Sequence, residues 1–305
     1  MLLSRQTLAS YFDRSSERPT KTNEHCDKIN NLADRCRQSY LKTGIAHIPN
    51  FLRQDIVQQM VQEATHLQNK KECFYSTDSH TVYQEEYDPN FPNDHPRNAL
   101  QTSSKYIVDF ARIPKPQSPL YTLYTSPEIR AFVSYVVRPE ENDSHNNYYE
   151  AHELFQSGCD YNAAYYNIYG PGDGLGWHFD RSDFGINLEL QRPKLKSNCG
   201  DNSSGAGGDF ELCWKTRIPE DPWCFEKVKD ILNSSDEQQC SKAERIQDPP
   251  VGPGSLVFFA GNLNLHRVTP VNKDCDVPRV NAIMTFEKQP GQRPNAYSLE
   301  KFFGR

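Results

Sequence analysis

The chain of 305 residues is long enough for one large domain or two small ones. Hydrophobic residues make up 36% of it, which is low for a globular protein, but 16 Phe, 16 Tyr and 3 Trp supply material for a packed core and exclude a wholly disordered chain. The formal net charge of -6 argues against a general binder of the phosphate backbone, so we expect no nucleic-acid partner.

Membrane insertion and disulfide bonding have no signature in the sequence. No run of about 18 apolar residues occurs, and the apolar stretch before Arg5 is too short for a secretory signal. The nine cysteines are odd in number and form no CxxC pair, which indicates neither a disulfide framework nor a structural zinc site. We therefore expect a reduced, cytoplasmic protein without a membrane partner, whose oligomeric state the sequence leaves open.

The first half of the chain carries two helix patterns and one strand pattern. The alternation from Ile45 to Ile48 predicts a strand, and the apolar spacing from Gln54 to Leu67 predicts an amphipathic helix. A second helix is predicted from Ser126 to Val137. Residues 72–120 contain six prolines and are interpreted as loop, in which 72–100 is a candidate lid over a site.

The character of the sequence changes at Cys159, where short β-rich runs begin to alternate with Gly, Pro, Asn and Asp turns. This pattern predicts a mainly β sandwich or barrel with flanking helices. We expect a loose polar tail over 1–30 and a single domain over 31–305. In that domain a helical and loop part spans 31–158 and the β core spans 159–290, with insertions near 194–208 and 216–248.

The most informative motif is the His-Phe-Asp run that follows a glycine-rich turn. His178 and Asp180 are two residues apart, so on an extended segment an imidazole and a carboxylate converge on one volume. His266 opens a later strand pattern, 86 residues beyond Asp180. Two histidines and one carboxylate form a facial triad typical of non-haem Fe(II) oxygenases; zinc is the main competing metal.

Arg279 is a further candidate for the site, because it opens the next alternating run, 13 residues after His266. The intervening turn allows the two strands to pair, which would bring the guanidinium back toward the metal. Arginine grips a carboxylate through two parallel hydrogen bonds, which a lysine ammonium does less specifically. A metal with open positions and a carboxylate clamp together indicate a 2-oxoglutarate site.

At these residues the sequence resembles the Fe(II)/2-oxoglutarate-dependent oxygenases, over roughly residues 160–288. The resemblance implies a double-stranded β-helix (a jelly-roll, cupin-like core), with Fe(II) on His178, Asp180 and His266. It also implies 2-oxoglutarate and O₂ as cosubstrates, with Arg279 on the distal carboxylate of 2-oxoglutarate. The expected reaction is hydroxylation of an unactivated C–H, with desaturation or cyclisation left open.

The segments FPNDHPRN and GGDFEL narrow the resemblance to the group of radical halogenases and hydroxylases of free amino acids, above all lysine. The halogenases replace the triad carboxylate by Gly, so Asp180 implies a hydroxylase. The resemblance places Arg97 on a substrate carboxylate. Leu175 and Arg181 depart from the group's substrate positions, which argues against lysine itself.

Further candidates follow from position alone. Trp177 beside the first metal histidine is a candidate pocket wall, and Arg181 is a candidate substrate contact. Asn167, on the strand before the motif, either donates to the cosubstrate or belongs to the sheet ladder. We expect a small-molecule substrate, an amino acid or a derivative of one. The alternatives are an oxygenase of protein side chains or alkylated bases, and a non-catalytic jelly-roll binding module.

Overall fold

The computed structural model describes residues 22–137, 153–196, 205–214, 216–218, 220–233, 245–247 and 252–305. Its helices are α1 (Thr22–Thr43), α2 (Gln54–Asn69), α3 (Pro119–Tyr124), α4 (Pro127–Val137), α5 (Phe225–Asn233) and α6 (Ala296–Phe303). None of the helices in these ranges is long and apolar enough to cross a membrane.

The strands are β1 (Ile45–Ile48), β2 (Phe74–Thr81), β3 (Leu100–Val108), β4 (Phe155–Gln156), β5 (Ala164–Tyr169), β6 (Gly174–His178), β7 (Phe184–Gln191), β8 (Lys194–Leu195), β9 (Phe210–Cys213), β10 (Arg245–Gln247), β11 (Leu256–Phe259), β12 (Leu265–Val268), β13 (Cys275–Val277) and β14 (Arg279–Glu287). Twelve of them form one antiparallel sheet. Ten of these follow the order β1-β11-β7-β14-β5-β3-β6-β12-β9-β10, and off this path β2 pairs with β3 and β4 pairs with β14. Strands β8 and β13 form a separate pair.

The path curls because β3 joins two layers. Near its C-terminal end Tyr106 pairs with Ile168 of β5, whereas Ser103 pairs with Leu175 of β6. One layer therefore runs from β1 to β5, and the other from β6 to β10. The predicted mainly β jelly-roll core is confirmed.

The main hydrophobic core lies between the helices and the outer face of the first layer. Met60 and Ala64 of α2 and Val133 of α4 belong to the same buried cluster as Leu188 of β7 and Met284 of β14. Because side chains alternate along a strand, the opposite face of this layer is left for the space between the two layers. That inner space contains the site.

Several predicted elements are confirmed in the structure: the strand at β1, the helices at α2 and α4, and the last β-rich run, which is β14. The apolar face predicted for α2 is buried at Ile56, Val57 and Met60. Helix α4 is capped where the sequence suggests, since the backbone N–H of Ile129 donates to Ser126 Oγ at 3.2 Å.

Two expectations differ from the structure. Helix α1 begins at Thr22, inside the segment expected to be a tail, and 1–21 lie outside the described residues. The segment 72–120, interpreted as loop, contains β2 and β3, which pair over eight residues. Both strands are rich in Ser, Thr and other polar residues, so their apolar pattern is too weak to indicate a strand. The part of the predicted lid that lies outside these strands is 82–99.

The two predicted insertions are described in part. The first contains the short strand β8, and 197–204 lie outside the described residues. The second contains α5, which agrees with its helical pattern, and 234–244 lie outside the described residues.

Candidate active site

The inner space between the two layers is a cavity whose wall is built largely by alternate strand residues. The residues of β14 that line it are Arg279, Asn281, Ile283 and Thr285. The intervening residues of β14, which pack into the helix-facing core, are Val280, Ala282, Met284 and Phe286. One strand thus supplies both the hydrophobic core and the polar wall of the site.

The three predicted metal ligands lie together in this cavity. The ligand atoms of His178, Asp180 and His266 are all within 4.8 Å of one another. Strands β6 and β12 place His178 directly opposite His266. Each histidine Nε2 is 3.5 Å from Asp180 Oδ1. The geometry fits a metal ion held on one face by two imidazoles and one carboxylate.

Main-chain carbonyls orient both imidazoles. His178 Nδ1 donates to the carbonyl oxygen of Gly176 at 2.8 Å, and His266 Nδ1 donates to that of Asn264 at 2.9 Å. Since a carbonyl only accepts, each ring carries its proton on Nδ1 and presents a bare Nε2 to the cavity. Burial, followed by the neighbouring His266, lowers the pKa of His178 to about 4, so its ring is neutral near pH 7.

Asp180 is the more accessible ligand, with 23% of its side chain exposed. Burial acts to raise its pKa, but the neighbouring His266 and His178 outweigh burial and hold the pKa below the ordinary value. Its backbone N–H donates to the carbonyl oxygen of Gly261 at 2.9 Å. A Cβ added at Gly261 would lie 1.9 Å from Asp180 Oδ2, so only glycine leaves room for the carboxylate.

A β-bulge in β6 decides which residues face the cavity. His178 pairs with His266 and Leu175 pairs with Val268, so three steps on β6 match two on β12. Leu175 and His178 therefore both line the cavity. Trp177 does not: it packs in a separate buried cluster, and Arg267 lies 4.7 Å from its ring. The structure does not bring Trp177 to the site as the sequence suggested.

Behind His178, a buried histidine supports strand β6. His80 Nε2 is 2.6 Å from Ser103 Oγ, and the backbone N–H of Gly176 donates to the same oxygen at 3.0 Å. The His80 ring meets the His178 ring edge-on at 5.9 Å. Burial lowers the pKa of His80 to about 3, so it is neutral. This support was not found from the sequence, because it joins β2, β3 and β6.

Arg279 is buried in the cavity wall and is paired with a second buried residue. Its Nη2 is 2.6 Å and its Nε 3.2 Å from the two carboxylate oxygens of Glu189, and both side chains are 1% exposed. The guanidinium also lies 5.5 Å from the ring of Tyr169, its cross-strand partner on β5. The predicted carboxylate clamp is thus in the cavity, with a counter-ion of its own.

Three asparagines on adjacent strands add amide groups to the same wall. Asn167 of β5 pairs in register with Asn281 of β14, and Asn281 Nδ2 donates to Asn187 Oδ1 of β7 at 2.5 Å. All three line the cavity. Among the described residues, Asn167 Oδ1 and Asn281 Oδ1 accept no hydrogen bond. Asn167 therefore faces the site, with buried hydrogen-bonding capacity available to a ligand.

The two predicted substrate arginines meet at one carboxylate. Arg97 Nη2 pairs with Glu85 Oε2 at 2.9 Å and its Nη1 donates to the carbonyl oxygen of Glu86 at 2.9 Å. Arg181 Nη1 pairs with Glu85 Oε1, also at 2.9 Å. Arg181 lines the cavity and Arg97 does not. Arg97 lies one ion pair away from the cavity, behind Glu85.

Sequence reasoning missed Lys105, Glu189 and the contribution of α6. Lys105 and Glu189 sit at inward positions of β3 and β7. The alternation of apolar and polar residues in β7 could have indicated the inward position of Glu189. Helix α6 brings Ser298, Phe302 and Phe303 to the cavity wall. The position of α6 depends on long-range contacts, such as that of Lys301 with Asp78, which a local sequence pattern does not predict.

Comparison with known proteins supports the fold. No protein-family model matches the chain, and no curated protein sequence matches it. Among solved structures, the non-haem α-ketoglutarate-dependent epimerase SnoN from nogalamycin biosynthesis is similar, with a TM-score of 0.52 and 14% identity over 85% of this chain and 84% of that one. The carbocyclase SnoK from the same biosynthesis gives 0.51 and 14%, over 89% and 87%.

A prolyl hydroxylase from Trichoplax adhaerens, solved with a peptide fragment of the hypoxia inducible factor oxygen degradation domain, is similar at a TM-score of 0.51. Its identity is 13%, and the match covers 88% of this chain and 94% of that one. SnoN has also been solved with Fe³⁺, α-ketoglutarate and nogalamycin RO. At such low identities the shared property is the fold, with its jelly-roll core.

Proposed function

We propose that the chain is an Fe(II)- and 2-oxoglutarate-dependent oxygenase that oxidises an unactivated C–H bond of a small polar metabolite. The observation that carries the proposal is the set of His178, Asp180 and His266, in the same cavity as the buried Arg279. A binding module without catalysis has no need for two imidazoles with Nε2 atoms 3.5 Å from one carboxylate oxygen.

The donor set favours iron among the common metals. Two imidazoles and one hard carboxylate occupy one face of an octahedron, which is the ligand set of non-haem Fe(II) oxygenases. When bound, the iron supplies the activation of O₂ that couples substrate oxidation to conversion of 2-oxoglutarate into succinate and CO₂. Burial keeps the His178 imidazole unprotonated, so that its Nε2 can bind the metal.

The polar wall of the cavity suits 2-oxoglutarate. Arg279 offers a buried guanidinium, and Asn167 offers an amide whose Nδ2 can donate to a carboxylate. Amides and guanidinium groups on rigid strands orient a ligand at small entropic cost. In this proposal Asn167 is a cosubstrate contact, which is one of the two roles that its position before the motif left open.

The primary substrate is proposed to be an amino acid or a derivative of one, oxidised by hydroxylation, with desaturation or cyclisation as the alternatives. The resemblance of FPNDHPRN and GGDFEL to amino-acid hydroxylases supports this class. Arg181 lies in the cavity wall, where it would meet the substrate. A substrate carboxylate would reach Arg97 by taking over the position of Glu85.

The test is an anaerobic titration of the protein with Fe(II) and 2-oxoglutarate. An oxygenase of this type gives a visible charge-transfer band when the cosubstrate chelates the iron, whereas a non-catalytic module gives none. Asp180→Ala is the matched control, because it removes the only carboxylate of the metal face and should abolish the band. A band of equal intensity in Asp180→Ala would contradict the ligand assignment.

A second experiment addresses the substrate class. Amino acids, small cationic metabolites, a prolyl peptide and an alkylated oligonucleotide are compared for substrate-dependent release of succinate in air. We expect stimulation by an amino acid or a derivative. Stimulation by the peptide or the oligonucleotide alone would contradict the small-molecule class and leave the oxygenase assignment intact.

A further inference from the structure

The inward face of β3 contains a lysine that the predicted clamp does not explain. Ser103, Lys105 and Ile107 are the buried, alternate residues of this strand, and Lys105 and Ile107 line the cavity. Lys105 is 4% exposed. Since β3 lies between β5 and β6, it places Lys105 between the strand of Tyr169 and the strand of His178.

Lys105 has aromatic neighbours, and among the described residues no carboxylate forms a salt bridge with it. Among the described residues its Nζ makes no hydrogen bond and no salt bridge, and it lies 5.9 Å from the ring of Tyr169 and 5.5 Å from that of Phe302. Burial lowers its pKa to about 7, against an opposing effect of Asp180. A buried ammonium without a counter-charge is costly, so a ligand that supplies the charge would be bound strongly.

Arg279, by contrast, already has its counter-charge. Glu189 meets it through both carboxylate oxygens. The neighbouring Arg192, 4.0 Å from Glu189, pairs in turn with Asp209. The formal charges of these two arginines and two carboxylates sum to zero. The cluster therefore offers hydrogen bonds to an incoming carboxylate but no net positive charge.

The same aromatic ring borders both cations. The Arg279 guanidinium lies 5.5 Å and the Lys105 ammonium 5.9 Å from the centre of the Tyr169 ring. Both groups therefore face one end of the cavity. With Fe(II) and the Asp180 carboxylate summing to +1, the ammonium of Lys105 brings the cavity to +2, which matches one dianion of 2-oxoglutarate.

We propose that Lys105 binds the distal carboxylate of 2-oxoglutarate and is the charged partner of that group, in front of the neutral Arg279–Glu189 pair. This inference rests on the proposed function. It assigns Arg279 a directional, hydrogen-bonding role and Lys105 the electrostatic one.

The experiment combines one substitution with one ligand change. Wild type, Lys105→Met and the surface control Lys229→Met are titrated anaerobically with Fe(II) and either 2-oxoglutarate or 2-oxopentanoate. The second ligand keeps the 1-carboxylate and the keto group but lacks the distal carboxylate. The charge-transfer band gives the dissociation constants without turnover.

We expect Lys105→Met to weaken binding of 2-oxoglutarate by about 10- to 100-fold, the range for a lost hydrogen bond to a charged group. Binding of 2-oxopentanoate should stay within about threefold of wild type, because the group that meets Lys105 is missing from it. Lys229 is exposed, so Lys229→Met should match wild type with both ligands.

Other results have distinct meanings. Unchanged binding of 2-oxoglutarate in Lys105→Met would overturn the inference and leave the proposed function standing. Equal weakening of both ligands would also overturn it, since Lys105 would then act on the metal end or on the fold.

Two safeguards keep the test decisive. Thermal unfolding checks that each variant is folded, and Lys105→Gln, which retains polarity without charge, replaces Lys105→Met if the latter does not fold. If wild type gives no band with either ligand, the proposed function fails, and this outcome cannot be confused with a failure at Lys105 alone.

Discussion

Substitution of Gly261 by alanine tests how the main chain positions the metal carboxylate. The added Cβ would lie 1.9 Å from Asp180 Oδ2 and 2.6 Å from its Cγ. Real Cβ contacts essentially never fall below 3.0 Å, so the carboxylate must retreat by at least 1.1 Å. Metal–ligand distances tolerate only about 0.2 Å. We therefore expect Gly261→Ala to weaken Fe(II) binding by about 100-fold, the upper range for loss of a ligand's support.

The assay is equilibrium dialysis of Fe(II) under anaerobic conditions, with thermal unfolding of the metal-free protein beside it. Gly252→Ala is the matched control, because an added Cβ there meets no described atom within 4 Å. We expect the control to bind iron like wild type and both variants to remain folded. If Gly261→Ala also keeps wild-type affinity, the reasoning that Gly261 fixes Asp180 is refuted.

Three further predictions concern buried charges and the substrate. Arg279→Met should destabilise the fold by about 3 kcal/mol in urea unfolding, because the buried Glu189 loses its close partner and is left with Arg192 at 4.0 Å. The double variant with Glu189→Leu should be less destabilised, and a less stable double variant would contradict this reasoning. Burial raises the pKa of Glu287 to about 7, so ionising it costs folding free energy increasingly as pH rises from about 4.5 to 7. Glu287→Gln should therefore raise the unfolding temperature of the metal-free protein at pH 8, and this gain should shrink toward pH 5; a gain that does not depend on pH would exclude the titration as its cause. Arg97→Leu should raise the substrate KM or uncouple 2-oxoglutarate consumption from product, with 2-oxoglutarate affinity unchanged; wild-type kinetics would remove the main support for a substrate carboxylate.

The candidate metal site was predictable because its residues lie within short local motifs of the sequence. His178 and Asp180 sit on one extended run. His266 is the second residue of β12, and Arg279 begins β14, whose alternation is visible in the sequence. The register between β6 and β12 then places the two histidines opposite each other. Residue type and period were sufficient, because the ligands lie on strands with strong apolar patterns.

The surroundings of the centre were harder to predict for physical reasons. Lys105 lies on a strand with polar side chains, whose pairing with β5 and β6 is a long-range property. Trp177 was expected in the cavity wall because it is next to His178, but adjacent residues of a strand face opposite sides of the sheet, and Trp177 packs in a separate buried cluster. The ion pair of Arg97 with Glu85 brings together two residues of a loop, for which no period exists.

The hydrogen bonds that hold the two metal histidines have a consequence for redesign. Gly176 and Asn264 support the rings through carbonyl oxygens, each two residues upstream of the histidine it holds. Because both hydrogen bonds are made to the main chain, residues of the cavity wall can be exchanged without removing them. A library that varies the lining residues Gln84, Arg181, Ser298 and Phe302 could thus be screened for new substrates. The main-chain hydrogen bonds to His178 and His266 would remain in every variant.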